Sequence, residues 1–247
     1  MWPLDRRRSL LRISRERVER WQPQRGLWLL QDQRQIEAPE SAALHAAVAS
    51  LCAGAAAAYD LVVESAWLPV LLVPCGRSLW SRRQVEPLLR HRLGLLYGDA
   101  ADPVAQWQLE LDHRPGDARC LGYGLSAATH EALSRAALAA ACRWSSLQPA
   151  WTWGARRFGV RDGWWAWMEQ DRALLGCFIR GQVVALNAAL PADVPDWTRA
   201  AEVEALRCGL AAGPVTVAGW HETERRDRTS AWRAVAPALA TQAKAAT

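Results

Sequence analysis

Histidine, serine, cysteine and paired carboxylates are the side chains with which a chain of this kind could do chemistry, and their spacing here supports none of it. The five histidines (His45, His91, His113, His130, His221) show no ligand spacing such as i, i+4. They read as structural or solvated imidazoles. A serine nucleophile on a sharp elbow needs Gly-x-Ser-x-Gly, which is absent. Gly122-Tyr123-Gly124-Leu125-Ser126 is glycine-spaced but reads more simply as a closely packed strand. Asp60 and Glu64 flank one strand without a partner that would make an acid/base pair. No P-loop and no dinucleotide glycine fingerprint occurs. The six cysteines (52, 75, 120, 142, 177, 208) lack any Cys-x-x-Cys and sit among Ala, Leu and Val, as buried free thiols of a reducing compartment do. No catalytic, cofactor-binding or metal residue is assigned.

Tryptophan is the exception. The chain has 15, and Trp144, Trp151, Trp153, Trp164, Trp165 and Trp167 crowd one short stretch. On a regular strand Trp164 and Trp165 point to opposite faces, with Ala166 beside the first and Trp167 beside the second. One reading is packing between two halves of the molecule. The other is an aromatic anchor for a partner, because binding energy concentrates in Trp, Tyr and Arg. The partner-binding candidates are Trp151, Trp153, Arg156, Arg157, Trp165 and Trp167, with Arg161 beside them to meet an acidic segment.

The 247 residues carry a net charge of +5, are 51% hydrophobic and 22% charged, which describes a folded chain of one large domain or two lobes. Of 30 basic residues only Lys244 is lysine; we attribute the Arg and Ala excess to GC-rich coding. Arginines alternate with acids along most of the chain and no nucleic-acid-binding motif accompanies them, so nucleic acid is not an expected partner. No apolar run of about 18 residues occurs, so no membrane span is expected. The basic Arg6-Arg7-Arg8 cluster is not followed by the apolar segment of a signal peptide. The expected location is the cytoplasm.

Periodicity orders the elements that must position these residues. Strands are expected at Leu10–Ser14, Val18–Trp21 and Leu27–Leu30, then a helix over 41–53 capped by Ser41, then a strand at Asp60–Glu64. The same order returns about 150 residues later. Strands at Trp164–Glu169, Ala173–Ile179 and Val183–Leu186 precede a helix over 198–210 with Ala201, Val203, Leu206 and Leu210 on one face, then a strand at Val215–Ala218. Between the two lies a block with a strand at Leu68–Pro74, a helix over 85–97 with Pro87 in its first turns, and strands at Trp107–Leu111 and Cys120–Leu125. A helix capped by Thr129 follows, with Leu133, Ala137, Leu138 and Ala141 inward, and then a short strand at 145–149. The tail from Glu222 ends in a helix around 231–235 or a docking arm.

Two three-strand–helix–strand units, the first carrying an insert, resemble the actin-like (ribonuclease H-like) duplicated fold. That is an α/β fold of two lobes with mixed sheets and flanking helices. More closely the chain resembles the actin-like cytoplasmic domains of the PilM and GspL families of type IV pilus and type II secretion assembly. Three stretches carry this: Leu68-Pro69 to Pro74 with the following helix and its Glu86, Leu88 and Leu89; Gly122–Leu125 with Ala127–Leu133 and Cys142–Pro149; and Asp162-Gly163-Trp164 to Gly181. The implied division is a first lobe over 1–150 with an insert at about 66–126, a reduced second lobe over 151–220, and a tail over 221–247.

The resemblance implies an Asp-x-Gly turn after the first strand of each lobe, glycine admitting phosphate and aspartate holding magnesium. Here the turns are Ser14-Arg15-Glu16-Arg17 and Glu169-Gln170-Asp171-Arg172, without glycine. The expectation is therefore a degenerate, non-catalytic scaffold or adaptor without cofactor. It would dock to the cytoplasmic segment of a PilN-like inner-membrane component, peripherally at the inner membrane, with homo-oligomerisation left open. The alternative is an active actin-like ATPase or sugar-kinase-like enzyme with phosphate contacts from Ser14, Arg15 and Arg172.

Overall fold

The computed structural model describes residues 9–24, 27–54, 58–76, 81–98, 102–112, 114, 116–191, 193–194, 196–219 and 231–232. The chain divides into two compact units, with the boundary between Trp153 and Gly154.

In the first unit, Ser-Leu-Leu-Arg-Ile is buried along its whole length and forms strand β1 (Ser9–Ile13) at the interior of a sheet. A near-continuous apolar run is what a strand covered on both faces requires. It leads through antiparallel β2 (Arg17–Gln24) to β3 (Leu27–Gln35). Helix α1 (Ser41–Cys52) then brings the chain back so that β4 (Ala58–Val63) lies parallel to β1. Leu44, Ala47, Val48, Leu51 and Cys52 of α1 are buried, the spacing of one apolar stripe. They share a core with Leu11, Ile13, Leu61, Val63 and, from α3 (Ala127–Ala139), Leu133 and Ala136. Strand β8 (Arg143–Pro149) adds on parallel to β4, and the two residues of β13 (Ala231–Trp232) pair with β3, giving the order β13-β3-β2-β1-β4-β8.

A three-stranded antiparallel sheet in the order β5-β7-β6 is built from β5 (Val70–Pro74), β6 (Gln108–Asp112) and β7 (Arg119–Leu125). Helix α2 (Arg82–Tyr97) seats Val85, Leu89 and Leu93 in its core. The glycines of β7 set the distance of approach: a Cβ at Gly122 would lie 2.7 Å from Leu89 Cδ2, and one at Gly124 2.7 Å from Leu93 Cδ1. Close packing is therefore what this glycine-spaced stretch does.

In the second unit β9 (Gly163–Met168), β10 (Arg172–Ile179) and β11 (Gln182–Pro191) form an antiparallel meander. After α5 (Trp197–Cys208), β12 (Val215–Gly219) lies parallel to β9. The order β11-β10-β9-β12 repeats β3-β2-β1-β4 with the same strand directions. The first turns match as well, Ser14 N–H donating to Arg17 O at 3.0 Å and Glu169 N–H to Arg172 O at 2.9 Å.

Several local expectations need correction. The N-cap of α1 is Glu40, with Ser41 already helical, and that of α3 is Ser126, whose hydroxyl accepts the Thr129 N–H at 3.1 Å. Helix α2 begins at Arg82 rather than at 85, with Pro87 within its first two turns as expected. Leu138, expected inward, is 84% exposed, and Ala141 is exposed too. On α5 Val203 and Leu206 face solvent while Ala201, Glu204 and Ala205 are buried, since small side chains let the helix lie close on its strands. An eight-residue helix, α4 (Ala150–Arg157), was not expected. Ala231 and Trp232 are extended rather than helical; the rest of the tail, Arg6–Arg8, His113 and His221 lie outside the described residues.

Candidate functional site

In an α/β sheet the crevice for ligands opens at the carboxyl ends of parallel strands. In the first unit that position falls where β1 and β4 end, Ile13 opposite Val63. Arg12, on the opposite face of β1 from Leu11 and Ile13, is 4% exposed. Its Nε and Nη2 donate to Glu64 Oε1 at 3.0 and 2.5 Å, and its Nη1 donates to Glu19 Oε2 at 3.1 Å. Glu19 lies opposite Arg12 on β2, accepts from Trp21 Nε1 at 3.0 Å and forms an ion pair with Arg17, Nε to Oε1 2.8 Å.

Charge decides what this cluster can do. The described ion pairs set two guanidinium groups, buried Arg12 and partly exposed Arg17, against the buried carboxylates of Glu19 and Glu64. Buried ions persist only when paired and hydrogen-bonded. A planar guanidinium can bridge two carboxylates at once, which an ammonium point charge does less well. The adjacent turn is closed in the same manner. Ser14 Oγ accepts the Arg17 N–H at 3.2 Å and donates to Arg17 O at 3.0 Å, while Ser14 O accepts Trp67 Nε1–H at 2.8 Å. No residue of this turn has positive φ, so the turn needs no glycine.

The corresponding turn of the second unit has Glu169 at its start, 7% exposed, and Asp171 paired with Arg172 at 3.2 Å. Among the described residues no three His, Cys, Asp or Glu side chains gather as a metal site would require. Asp60 accepts from Ser146 Oγ at 2.7 Å and belongs to the β4–β8 pairing, while Glu64 belongs to the Arg12 cluster, so the two flanking carboxylates of β4 do separate work. His45, His91 and His130 sit apart on α1, α2 and α3.

The six partner-binding candidates do not form one exposed patch. Trp151, Trp165 and Trp167 are each 0% exposed, which corrects the expectation of an aromatic anchor at those positions. Trp165 and Trp167 share one face of β9, their ring centroids 5.9 Å apart, with Phe158 5.3 Å from Trp165. Trp164 and Ala166 lie in the core on the other face, as alternation requires. Trp153 is half-buried, and Arg156 and Arg157 are exposed on the last turn of α4. Sequence reasoning passed over Arg12 and Glu19. The signal was a charge inside the apolar run Leu10-Leu11-Arg12-Ile13, with a carboxylate between Val18 and Trp21.

No protein-family model and no curated relative matches the chain. Solved structures do. A Bacteroides thetaiotaomicron protein described as having an actin-like ATPase fold and unknown function aligns over 90% of this chain and 87% of its own, at 12% identity and a TM-score of 0.59. The fold is actin-like. The cytoplasmic domain of EpsL, an inner-membrane component of the type II secretion system of Vibrio cholerae, aligns over 86% of this chain and 82% of its own, at 14% identity and a TM-score of 0.50. A PilM–PilN type IV pilus biogenesis complex aligns over 83% of this chain and 66% of its own, at 12% identity and a TM-score of 0.49. The likeness to the EpsL cytoplasmic domain is one of fold. Among the described residues no helix is long and apolar enough to cross a membrane.

Proposed function

We propose that this actin-like chain is a non-catalytic cytoplasmic scaffold, peripheral at the inner membrane, in the assembly platform of a type IV pilus or type II secretion machine. It works by docking rather than turnover. The observation that carries this reading is the Arg12–Glu19–Glu64–Arg17 cluster, which sets opposite charges in ion pairs at the carboxyl ends of β1 and β4. A triphosphate entering there would have to displace a buried ion network, which costs several kcal/mol per uncompensated ion, about 3–5 when one partner is removed. The likeness in fold to the cytoplasmic domain of EpsL supports the setting.

The partner is the cytoplasmic segment of a PilN-like membrane component. Trp153, Arg156 and Arg157 on α4 are the docking residues the structure leaves at least partly accessible, and they suit a segment with acidic and apolar side chains. The test is calorimetric titration of the folded full chain with synthetic peptides spanning the N-terminal cytoplasmic segments of candidate membrane components. Saturable binding weakened by Arg156→Glu and Arg157→Glu is expected; no binding by any such peptide overturns the reading. An enzyme of the ATPase or sugar-kinase kind would draw on Ser14, Arg15 and Arg172. Ser14 is buried with its hydroxyl committed to its own turn, and Arg172 is paired with Asp171.

A further inference from the structure

Two cysteines far apart in sequence meet in the core of the β5-β7-β6 block. Cys75 directly follows β5, its N–H donating to Ala118 O at 2.9 Å, and Cys120 lies on β7 opposite Val73. The register puts both on the sheet face that α2 covers, in the core with Val85, Leu89 and Leu93. Their Sγ atoms are 3.0 Å apart, and each residue is 2% exposed. A disulfide needs a sulfur separation of about 2.05 Å, so closure requires the sulfurs to move together by about 1 Å.

We propose that Cys75 and Cys120 are an oxidisable dithiol pair that closes to a disulfide and ties the edge strand β5 to β7. The oxidant is a small-molecule disulfide of the glutathione class. A Cys75 thiolate attacks one sulfur of that disulfide, forming a mixed disulfide and releasing one small thiolate. The Cys120 thiolate then attacks the Cys75 sulfur, forming the protein disulfide and releasing the second. Two protein thiols and one small disulfide become one protein disulfide and two small thiols, the two thiol protons passing to the departing thiolates.

Position assigns the order of attack. Among the described strands β5 pairs with β7 alone, and Cys75 lies just beyond its end, so fraying of that end uncovers Cys75 first. Cys120 is on the central strand, where burial, with Cys75 alongside, pushes its thiol upward. The link closes a loop that contains α2 and β6, so oxidation fixes this block as one piece.

The test treats the full native chain with oxidised glutathione, blocks remaining thiols, digests with trypsin without reduction and reads masses. Cleavage after Arg34, Arg77, Arg119 and Arg135 yields fragments 35–77 and 120–135, the second with Cys120 as its sole cysteine. The expected product is these two fragments joined, about 2 Da lighter than their reduced sum and separated by dithiothreitol. Cys52→Ser, which removes the other thiol of fragment 35–77, leaves the link in place; Cys75→Ser abolishes it. Recovery of Cys75 and Cys120 both blocked as free thiols, or a link that survives Cys75→Ser, overturns the proposal.

Discussion

Arg12 and Glu64 are 52 residues apart in sequence and joined by two hydrogen bonds, Nε and Nη2 of the arginine both donating to Oε1 of the glutamate. The pairing crosses from β1 to the residue following β4, so it depends on the parallel association of these strands. Arg12 also donates to Glu19 on β2. The ends of the two strands are thereby locked together by charge as well as by the sheet.

Glu64→Ala removes a carboxylate paired with the buried guanidinium, and is expected to cost about 3–5 kcal/mol in urea unfolding. The double variant Arg12→Met with Glu64→Leu removes both charges and is expected to cost less than the sum of the single changes. Additive costs in that double-mutant cycle would show that the pair is not coupled.

Two helix glycines behave oppositely. A Cβ at Gly154 in α4 would run into the Trp167 ring and lie 3.1 Å from Trp165 Cζ2, so Gly154→Ala is expected to destabilise by about 1–3 kcal/mol. Nothing lies within 4 Å of a Cβ at Gly94 in α2, where Gly94→Ala is expected to stabilise by about 1 kcal/mol. Thermal unfolding of the two variants reads both signs.

Ser126 caps α3, so Ser126→Ala is expected to cost about 1 kcal/mol. Ser41→Ala on α1 is expected to be close to neutral, because the cap position there belongs to Glu40 and has no side-chain bond. Paired urea midpoints decide between this assignment and capping by Ser41.

Burial, with Cys142 alongside, pushes the Cys52 thiol up to about 12 from its ordinary 9.0. The folded state therefore holds this proton more tightly than the unfolded state does. Its contribution to stability is complete below pH 9 and is lost as pH rises from 9 toward 12. Urea midpoints measured upward from pH 8.5 are expected to fall more steeply in the native sequence than in Cys52→Ala.

The strand order was legible because β1, β4, β9 and β12 are short apolar runs between turn residues, and their repetition at a fixed offset exposed the duplication. What periodicity misjudged is where small side chains set a helix's phase. On α5 Ala201 and Ala205 face the sheet and Leu206 does not, because proximity rather than hydrophobic size decides the contact there. The caps of α1 and α3 were misassigned because Ser41 and Thr129 are themselves acceptable cap residues, and only backbone geometry separates them from Glu40 and Ser126. The missing glycines of the Ser14–Arg17 turn could be read directly. The ion cluster could not, since its members come from β1, β2 and the end of β4 and meet only when those strands pair. Counting tryptophans could not distinguish the buried Trp165 and Trp167 from the half-buried Trp153.

Calorimetric titration of the folded full chain with Mg-ATP addresses the central claim most directly. The account predicts no saturable heat at nucleotide concentrations up to the millimolar range, because Arg12, Glu19 and Glu64 are committed to buried ion pairs with one another at the strand ends. Saturable binding at micromolar nucleotide, weakened by Arg12→Met, would contradict it.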